Sequence, residues 1–307
     1  MRSAFKGPGL VGAGGAPEIT GRGGRQGGTR KGLPALLATA VLWGSSFPAI
    51  KLAVSRVGGI TYTWLRGLLS VLSLVPYVAY AAKRGRVDRR LALGGLATGT
   101  AYAIALWLQG WGMEYTTASN AAFITGLNVM FVHAYTAIVA RSYGPRLAAS
   151  LALSITGLYV LTAPSGGLNV GDLLVLLSAV FWAAQIILVD CYGRGDPLVF
   201  AFFETIPTLA FFVPDAITGL RPIGHEVLLW SFYLALACSD AAFTLQALGQ
   251  RYVSPAAAAV VLLLEPVFAA MFAYVLLGEL MMPVQAAGAG LIVLAMFLAC
   301  WKREIQH

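Results

Sequence analysis

Long apolar runs separated by short polar segments dominate the pattern of this chain. A membrane-spanning helix needs roughly 20 mostly apolar residues, and ten runs come close to that length or exceed it. The runs are continuous rather than alternating, which predicts helices and excludes a membrane β-barrel. The intervening loops are short, so neighbouring helices are expected to be antiparallel. The ten runs are 33–54, 61–82, 91–113, 117–140, 145–163, 171–192, 197–213, 228–248, 254–276 and 282–301.

Composition supports the same class. Of the 307 residues, 58% are apolar and 11% are charged, and the mean hydropathy is +0.76. A soluble domain carries about 25% charged residues. These values exclude a soluble enzyme, a disordered protein and a disulfide scaffold. The three cysteines, Cys191, Cys238 and Cys300, have neither CxxC nor zinc-site spacing, so we expect small buried side chains and no metal site.

The basic residues predict an orientation. Residues 1–32 hold eleven glycines and six Lys or Arg, which predicts a disordered basic tail. If this tail is cytoplasmic and the ten helices alternate, seventeen Lys or Arg lie on the cytoplasmic side and two, Arg56 and Arg221, lie outside. Such a bias is typical of a multi-pass protein of the plasma membrane. It places both termini, including a short tail at 302–307, in the cytoplasm, and it explains the net charge of +8 without nucleic acid.

The two halves of the chain echo each other. Trp43 corresponds to Trp182 at an offset of 139, and Gln109 corresponds to Gln246 at an offset of 137. Five helices per half is an odd number, so the second copy must be inverted. Inverted repeats are typical of secondary transporters, which hold substrate near the membrane midplane between the copies. The predicted fold is therefore all-α, with ten transmembrane helices as two inverted five-helix repeats, 33–163 and 171–301, around a central cavity.

Several segments resemble a known family. Residues 251–298, with Glu265-Pro266 and Gly278-Glu279, resemble the second EamA repeat of the drug/metabolite transporter superfamily. The Trp43-Gly44-Ser45-Ser46-Phe47 segment is similar to the start of such a repeat, as is the segment that opens with Gly171. The resemblance covers residues 33–301. It implies ten spans in two inverted repeats, and export or exchange of small metabolites such as amino acids, amines, nucleotide sugars or drugs.

The first repeat departs from this pattern. At an offset of 137, Asn128-Val129 stands where the second repeat has Glu265-Pro266. Arg141-Ser142 stands where the second repeat has Gly278-Glu279. Any role of these two acidic residues is therefore confined to the second copy. Glu279 itself is expected to be a simple exposed carboxylate at the outer end of its helix.

Ionisable residues deep in the apolar runs are candidate site residues. Asp240 and Glu265 are about 15 Å from either face of the membrane, where a charge costs at least ~2.5–3.5 kcal/mol. Each is expected to be protonated, which suits proton coupling, or to hold a cation such as an ammonium group. Lys51 and Arg66 lie nearer the outer ends and either reach toward water or attract an anion. Glu204 lies near the cytoplasmic end of its run.

Uncharged residues complete the candidate pathway, although each could instead anchor one helix to another. Proline frees a backbone carbonyl, and a polar residue beside a helix break indicates a transporter site. The further pathway candidates are Trp43, Trp182, Tyr102, Asn128, Gln109 and Gln246, and the candidate helix breaks are Pro48, Pro207 and Pro266. Gly95 and Gly99 are spaced for close helix packing.

These observations predict a secondary transporter that exports amino acids or related amines by alternating access. The alternatives are a transporter of organic anions, sugars or drugs, and a non-saturable channel. An enzyme is disfavoured because His133 is the one histidine within the runs and no HExxH or GxSxG motif occurs, so no catalytic residues and no cofactor are expected. No GxxxxGK[ST] motif indicates an ATP-driven motor. The expected partners are a small-molecule substrate, the lipid bilayer and protons as a candidate coupling ion; the oligomeric state stays open.

Overall fold

The structure is a computed structural model that describes residues 29–139, 145–162, 167–253 and 255–300. Every regular element in these ranges is helical. This agrees with the all-α prediction from continuous apolar runs. The tails predicted at 1–32 and 302–307 lie outside the described residues, except that positions 29–32 begin the first helix.

Helices lie on all ten predicted apolar runs, and several runs are divided between two of them. A 3₁₀ segment, Ile206–Phe211, joins α7 to α8, and a π-helical segment, Leu236–Ala241, joins α9 to α10. The α-helices are α1 (Thr29–Lys83), α2 (Arg89–Gly112), α3 (Ala118–Gly126), α4 (Asn128–Val139), α5 (Pro145–Thr162), α6 (Val170–Tyr192), α7 (Pro197–Thr205), α8 (Phe212–Thr218), α9 (His225–Ala235), α10 (Ala242–Gln250), α11 (Pro255–Leu262), α12 (Glu265–Leu277) and α13 (Pro283–Cys300).

Helix α1 contains the first two runs and has one non-helical residue, Gly58, with φ 78° and ψ 165°. Glycine takes a positive φ without a steric penalty, so the chain changes direction where the sequence predicts a loop. Pro48 was expected to mark a helix break, and this prediction is wrong: α1 continues through it. Proline removes only its own N–H bond, and the helical dihedrals persist on both sides.

Two helical runs are broken near their centres in the same way. The run 117–140 divides into α3 and α4 at Leu127, and the run 254–276 divides into α11 and α12 at Leu263 and Leu264. Leu127 and Leu264 have nearly the same dihedrals, with ψ of −9° and −16°. Their amides bond three residues back, to Ile124 O (3.1 Å) and Val261 O (3.3 Å). Each break thus starts a new helix, at Asn128 and at Glu265.

The other two prolines lie at irregular positions. Pro207 is the second residue of the 3₁₀ segment that follows α7. Pro266 is the second residue of α12, where its missing N–H would have no partner within the helix in any case. Both therefore accompany a change of helical winding, while Pro48 does not.

Helix packing brings distant parts of the chain together. Helix α2 packs on α6 and α7, α5 packs on α13, and α1 packs on α9, α10 and α12. A Cβ on Gly99 would lie 2.2 Å from Glu204 O, and one on Gly95 would lie 2.6 Å from Phe203 Cβ. The predicted close packing at these two glycines is therefore confirmed, and the partner is α7.

Six helical stretches in the described part of the chain are long and apolar enough to cross a membrane. They are Gly32–Lys83, Arg89–Gly112, Ala118–Val139, Val170–Tyr192, Pro197–Thr218 and His225–Gln250. Three shorter apolar helices are Ala148–Thr162, Glu265–Leu277 and Pro283–Ala295. The fold is thus an all-helical one with several candidate membrane spans.

Candidate functional site

A small cavity lies where both halves of α1 meet α2, α3, α4, α6 and α12. Its volume is about 20 Å³, which holds one or two water molecules. The surrounding side chains include both charged and aromatic groups. The lining residues are Trp43, Ser46, Phe47, Arg66, Gln109, Thr125, Asn128, Trp182, Ile186 and Glu265.

Both helix breaks contribute to this cavity. Asn128 is the first residue of α4 and Glu265 is the first residue of α12, and both line the cavity. Glu265 is 9% exposed, and no described residue forms a hydrogen bond or ion pair with its carboxyl group. A buried carboxyl without a protein partner is costly for the folded state. A group that enters the cavity from outside could therefore be the partner that the described residues do not supply.

Arg66 lines the same cavity from the second half of α1 and is 2% exposed. Its guanidinium donates to Tyr62 Oη (2.7 Å), to Ser239 Oγ (2.8 Å) and to Cys238 O (2.9 Å). No carboxylate in the described ranges lies within ion-pair distance of it. The sequence suggested that Arg66 could reach toward water, but the structure places it in the interior.

An aromatic cluster forms one side of the site. The rings of Trp43 and Trp182 are 5.8 Å apart, and Phe243 packs edge-on against Trp43 at 5.7 Å. Trp43 Nε1 donates to Cys238 O (3.0 Å), whereas the buried Trp182 Nε1 has no hydrogen-bond partner among the described residues. Tyr102 packs behind them, 5.7 Å from Trp182, and does not line the cavity.

Asp240 lies in the π-helical segment and faces α1 rather than the cavity. Ser70 Oγ and Ser73 Oγ each donate to its carboxylate. Arg66, Ser70 and Ser73 share one face of α1 because they are spaced by four and three residues. The π-helical segment therefore presents its carbonyl, hydroxyl and carboxylate groups to this face. Asp240 is fully partnered, which the sequence did not reveal.

Comparison with known proteins identifies the family. The model of the EamA-like transporter family matches twice, at residues 30–163 and 169–301. An uncharacterized transporter of Archaeoglobus fulgidus is 31% identical over 267 residues, which span 86% of this chain and 83% of the relative. A second uncharacterized transporter of this organism is 25% identical over 276 residues, covering 89% of this chain and 97% of that one.

The chain belongs to the EamA-like transporter family. The resemblance stated from the sequence is therefore confirmed, and the protein is a multi-pass membrane protein that transports a small-molecule substrate. One solved crystal structure matches with a TM-score of 0.63 at 18% identity, covering 92% of this chain and 99% of that one. At this identity the match supports the fold alone.

Two further candidates of this EamA transporter belong to an amide network outside the cavity lining. Gln185 Nε2 donates to Glu204 Oε1 (2.7 Å) and to Gln246 Oε1 (2.9 Å), and Gln246 Nε2 donates back to Gln185 Oε1 (3.2 Å). All three side chains are buried. Glu204 and Gln246 thus have partners of their own, while Gln109 lines the cavity and donates to Thr125 Oγ1 (3.1 Å).

Lys51 and Glu279 lie at another cluster, on the side predicted to face outward. Lys51 Nζ donates to Met113 O (2.6 Å) and Thr116 O (2.8 Å), in the turn between α2 and α3. Glu279 accepts from the amides of Ala118 and Ser119, both at 3.0 Å. The expectation that Glu279 is a simple exposed carboxylate is wrong, because it binds the first amides of α3, where a negative charge is favourable.

Sequence reasoning missed four lining residues: Ser46, Phe47, Thr125 and Ile186. A signal existed for three of them. Ser46 and Phe47 follow Trp43 by three and four positions, and Ile186 follows Trp182 by four, so each shares a helix face with a predicted residue. Thr125 precedes the predicted Asn128 by three positions, but the break at Leu127 lies between them, so helical spacing does not establish that they share a face.

Proposed function

We propose that this EamA transporter exports amino acids or related amines across the plasma membrane by alternating access, with the cavity as its binding site. The observation that carries the proposal is Glu265, whose buried carboxyl group lines the cavity without a partner among the residues that the structure describes. An ammonium group would supply the missing counter-charge. Trp43 and Trp182 add apolar and aromatic surface for the rest of the substrate.

The size of the cavity supports a cyclic mechanism. A space of about 20 Å³ is too small for an amino acid, so the structure corresponds to a contracted state in which helices must separate before substrate enters. Lys51 and Glu279 join helices on the proposed outer side. On the proposed cytoplasmic side, Arg251 donates to Gly195 O, and Gln250 Nε2 donates to Ile186 O (3.0 Å). In the proposed cycle these two sets of contacts open in turn.

We further propose ten membrane-spanning helices in two inverted repeats, 33–163 and 171–301, with both termini cytoplasmic. The paired breaks at Leu127 and Leu264 support this, since they share the offset of 137 found for Gln109 and Gln246. Packing supports it too: a two-fold exchange maps the α5–α13 pair onto itself and the α4–α11 pair onto the α3–α12 pair, and all of these helices pack accordingly. Single cysteines at positions 56 and 86 test it. An impermeant reagent should label the first alone in intact cells, and labelling of both or only the second contradicts the topology.

Counterflow in proteoliposomes tests the transport proposal. Liposomes preloaded with unlabelled compound receive trace labelled amino acids, amines, sugars or carboxylates, one class at a time. We expect saturable counterflow of amino acids or amines, and none in empty liposomes. A rate that rises linearly with concentration would instead indicate a channel. Counterflow across a range of pH gradients tests protons as the coupling ion.

Arg66 supports a second candidate, a transporter of organic anions. A buried guanidinium in the cavity could bind a carboxylate or phosphate group. This candidate leaves Glu265 unexplained, because a second negative group would repel an anionic substrate. Saturable counterflow of carboxylates or sugars, without amino acids or amines, would favour it over the leading proposal.

A further inference from the structure

The cavity has two ionisable lining residues of opposite sign within the described chain, Arg66 and Glu265. They form no ion pair with each other or with any described residue, although Asp240 in the π-helical segment interacts electrostatically with Arg66. The other deep carboxyl groups differ: Asp240 is bound by two serines and Glu204 by an amide. Among the described residues, Arg66 and Glu265 are thus the two ionisable groups that line the cavity, and neither has an ion-pair partner.

A substrate with one charge, positive or negative, pairs with Glu265 or with Arg66 and leaves the other group without a partner. An amine would neutralise Glu265 but place its positive charge in the same cavity as Arg66. An organic anion would do the reverse. Leaving a buried charge without a partner is strongly unfavourable, whereas pairing it recovers the electrostatic energy. A substrate with one positive and one negative group satisfies both.

We infer that the cavity binds the zwitterionic form of an α-amino acid, with the carboxylate at Arg66 and the ammonium group at Glu265. The inference rests on the proposed function and sharpens it, since it excludes simple amines. Substrate class is set by two side chains from different halves of the chain.

Donor capacity at Arg66 fits this assignment. A guanidinium has five N–H donors, and three hydrogen bonds from Arg66 to the protein hold it in place. Two donors therefore have no partner among the described residues, and the planar group is suited to a carboxylate. Trp182 Nε1, which is buried and has no hydrogen-bond partner within the described ranges, adds a further donor on the cavity wall.

The rest of the wall indicates the side chain. Trp43, Phe47, Trp182 and Ile186 contribute apolar surface, while the polar groups Asn128 and Thr125 lie at the helix breaks. An apolar side chain therefore fits better than a charged one, which would need a third counter-charge. Leucine is a suitable probe, because both of its charges can be removed separately at nearly constant shape.

Competition against leucine counterflow tests the inference. The competitors are unlabelled leucine, leucinamide, which lacks the carboxylate, and 4-methylpentanoate, which lacks the amine. A charge-assisted hydrogen bond contributes about 1.5–3 kcal/mol, so we expect leucine to compete about tenfold or more better than either analogue. Competition by leucinamide as strong as that of leucine overturns the role of Arg66.

Substitutions at Glu265 and at Arg66 test the ammonium contact and the carboxylate contact separately. In Glu265→Gln, the advantage of leucine over 4-methylpentanoate should shrink by about tenfold, while its advantage over leucinamide persists. In Arg66→Gln, the advantage of leucine over leucinamide should shrink, while its advantage over 4-methylpentanoate persists. Arg66→Lys keeps the charge but loses the planar fork, so its advantage of leucine over leucinamide should lie between those of the native protein and Arg66→Gln. If Arg66 has only a structural role, its substitution should lower the apparent affinity for leucine, leucinamide and 4-methylpentanoate equally, and this outcome overturns the inference. Glu226→Gln, on an exposed carboxylate, is the matched control.

The outcomes of these experiments distinguish the zwitterion inference from the broader proposal that the protein exports amino acids or related amines. If the Arg66 variants do not fold, which thermal melting in detergent reveals, the Glu265→Gln arm decides alone, because Glu265 loses no contact with a described residue. Counterflow of amines with none of any amino acid overturns the zwitterion inference and leaves the broader proposal standing. Counterflow of carboxylates or sugars alone overturns both.

Discussion

The break between α11 and α12 and the π-helical segment between α9 and α10 each hold a carboxyl group deep in an apolar run, but in opposite settings. At the break, Glu265 lines the cavity and has no partner in the described part of the chain. In the π-helical segment, Asp240 accepts from Ser70 and Ser73 and does not line the cavity. The backbone is irregular at both places, so irregularity alone does not distinguish a binding group from a structural one.

The π-helical segment and the break between α11 and α12 differ in where they direct the polar groups around them. The π-helical segment turns consecutive groups toward one face of α1: Cys238 O and Ser239 bind Arg66, and Asp240 binds the serines. The break instead ends one helix and begins another at a cavity. A carboxyl group that the protein satisfies contributes to stability, and one that it does not satisfy is retained at a cost to stability. The two regions should therefore respond in opposite ways to the same substitution.

Removing each carboxyl group tests most directly whether Asp240 stabilises the protein and Glu265 does not. In Asp240→Ala, the hydrogen bonds from Ser70 and Ser73 are lost, and we expect the free energy of unfolding to fall by roughly 1–3 kcal/mol. In Glu265→Ala, no hydrogen bond to a described residue is lost, so the stability should be equal to or higher than that of the native protein. Thermal melting in detergent without substrate measures both. A clear loss of stability in Glu265→Ala would show that its carboxyl group is structural.

A double-mutant cycle measures how strongly Asp240 is coupled to Ser70 and Ser73. Replacing Ser70 or Ser73 by alanine should each lower the free energy of unfolding by about 1 kcal/mol in the native background. In the Asp240→Ala background, the same substitutions should have almost no effect, because their acceptor is already gone. Thermal melting of the singles and doubles gives the coupling energy. Additive effects would mean that the serines act through their other acceptors instead, which are Thr205 Oγ1 for Ser70 (3.3 Å) and Ser70 O for Ser73 (2.8 Å).

The fold was largely predictable because its strongest signal is local. Continuous apolar runs predicted the helices, and the offset of 137 that pairs Gln109 with Gln246 also pairs the breaks at Leu127 and Leu264. The spacing of Gly95 and Gly99 indicated close packing. Pro48 misled, because a proline permits a kink without requiring one, whereas the interruption of α1 occurs at Gly58.

The site was predicted in part, and its partners were not. Depth along a helix identified Glu265 and Asp240 alike, since both lie near the middle of their runs. Which of them has a protein partner depends on contacts between residues about 170 positions apart, such as Ser70 with Asp240, and a single sequence carries no signal for these. Glu279 was misread for the same reason, since its ligands are backbone amides, which have no signature in the sequence.

Glu279 provides an intermediate case between the two carboxyl groups. It is partly exposed, and it accepts from two backbone amides and from Ser119 Oγ (2.8 Å) at the start of α3. In Glu279→Gln, the charge is lost while one acceptor oxygen remains, so we expect a loss of about 1 kcal/mol in stability, as for a helix N-cap. Thermal melting at low and high salt measures it. An unchanged melting temperature would mean that these contacts are not held in solution.

The smallest effect is expected at Glu226, which is paired with Arg56 at 3.9 Å on an exposed surface. An exposed pair contributes about 0–1 kcal/mol because water and salt screen it, so Glu226→Gln should change the melting temperature and the leucine counterflow rate very little. The value of this variant is that it removes the same chemical group as the substitutions at positions 265 and 279. If it destabilised the protein as much as Glu279→Gln does, loss of negative charge alone would account for both results. The contrast between partnered and unpartnered carboxyl groups would then have to be drawn from the Asp240 cycle instead.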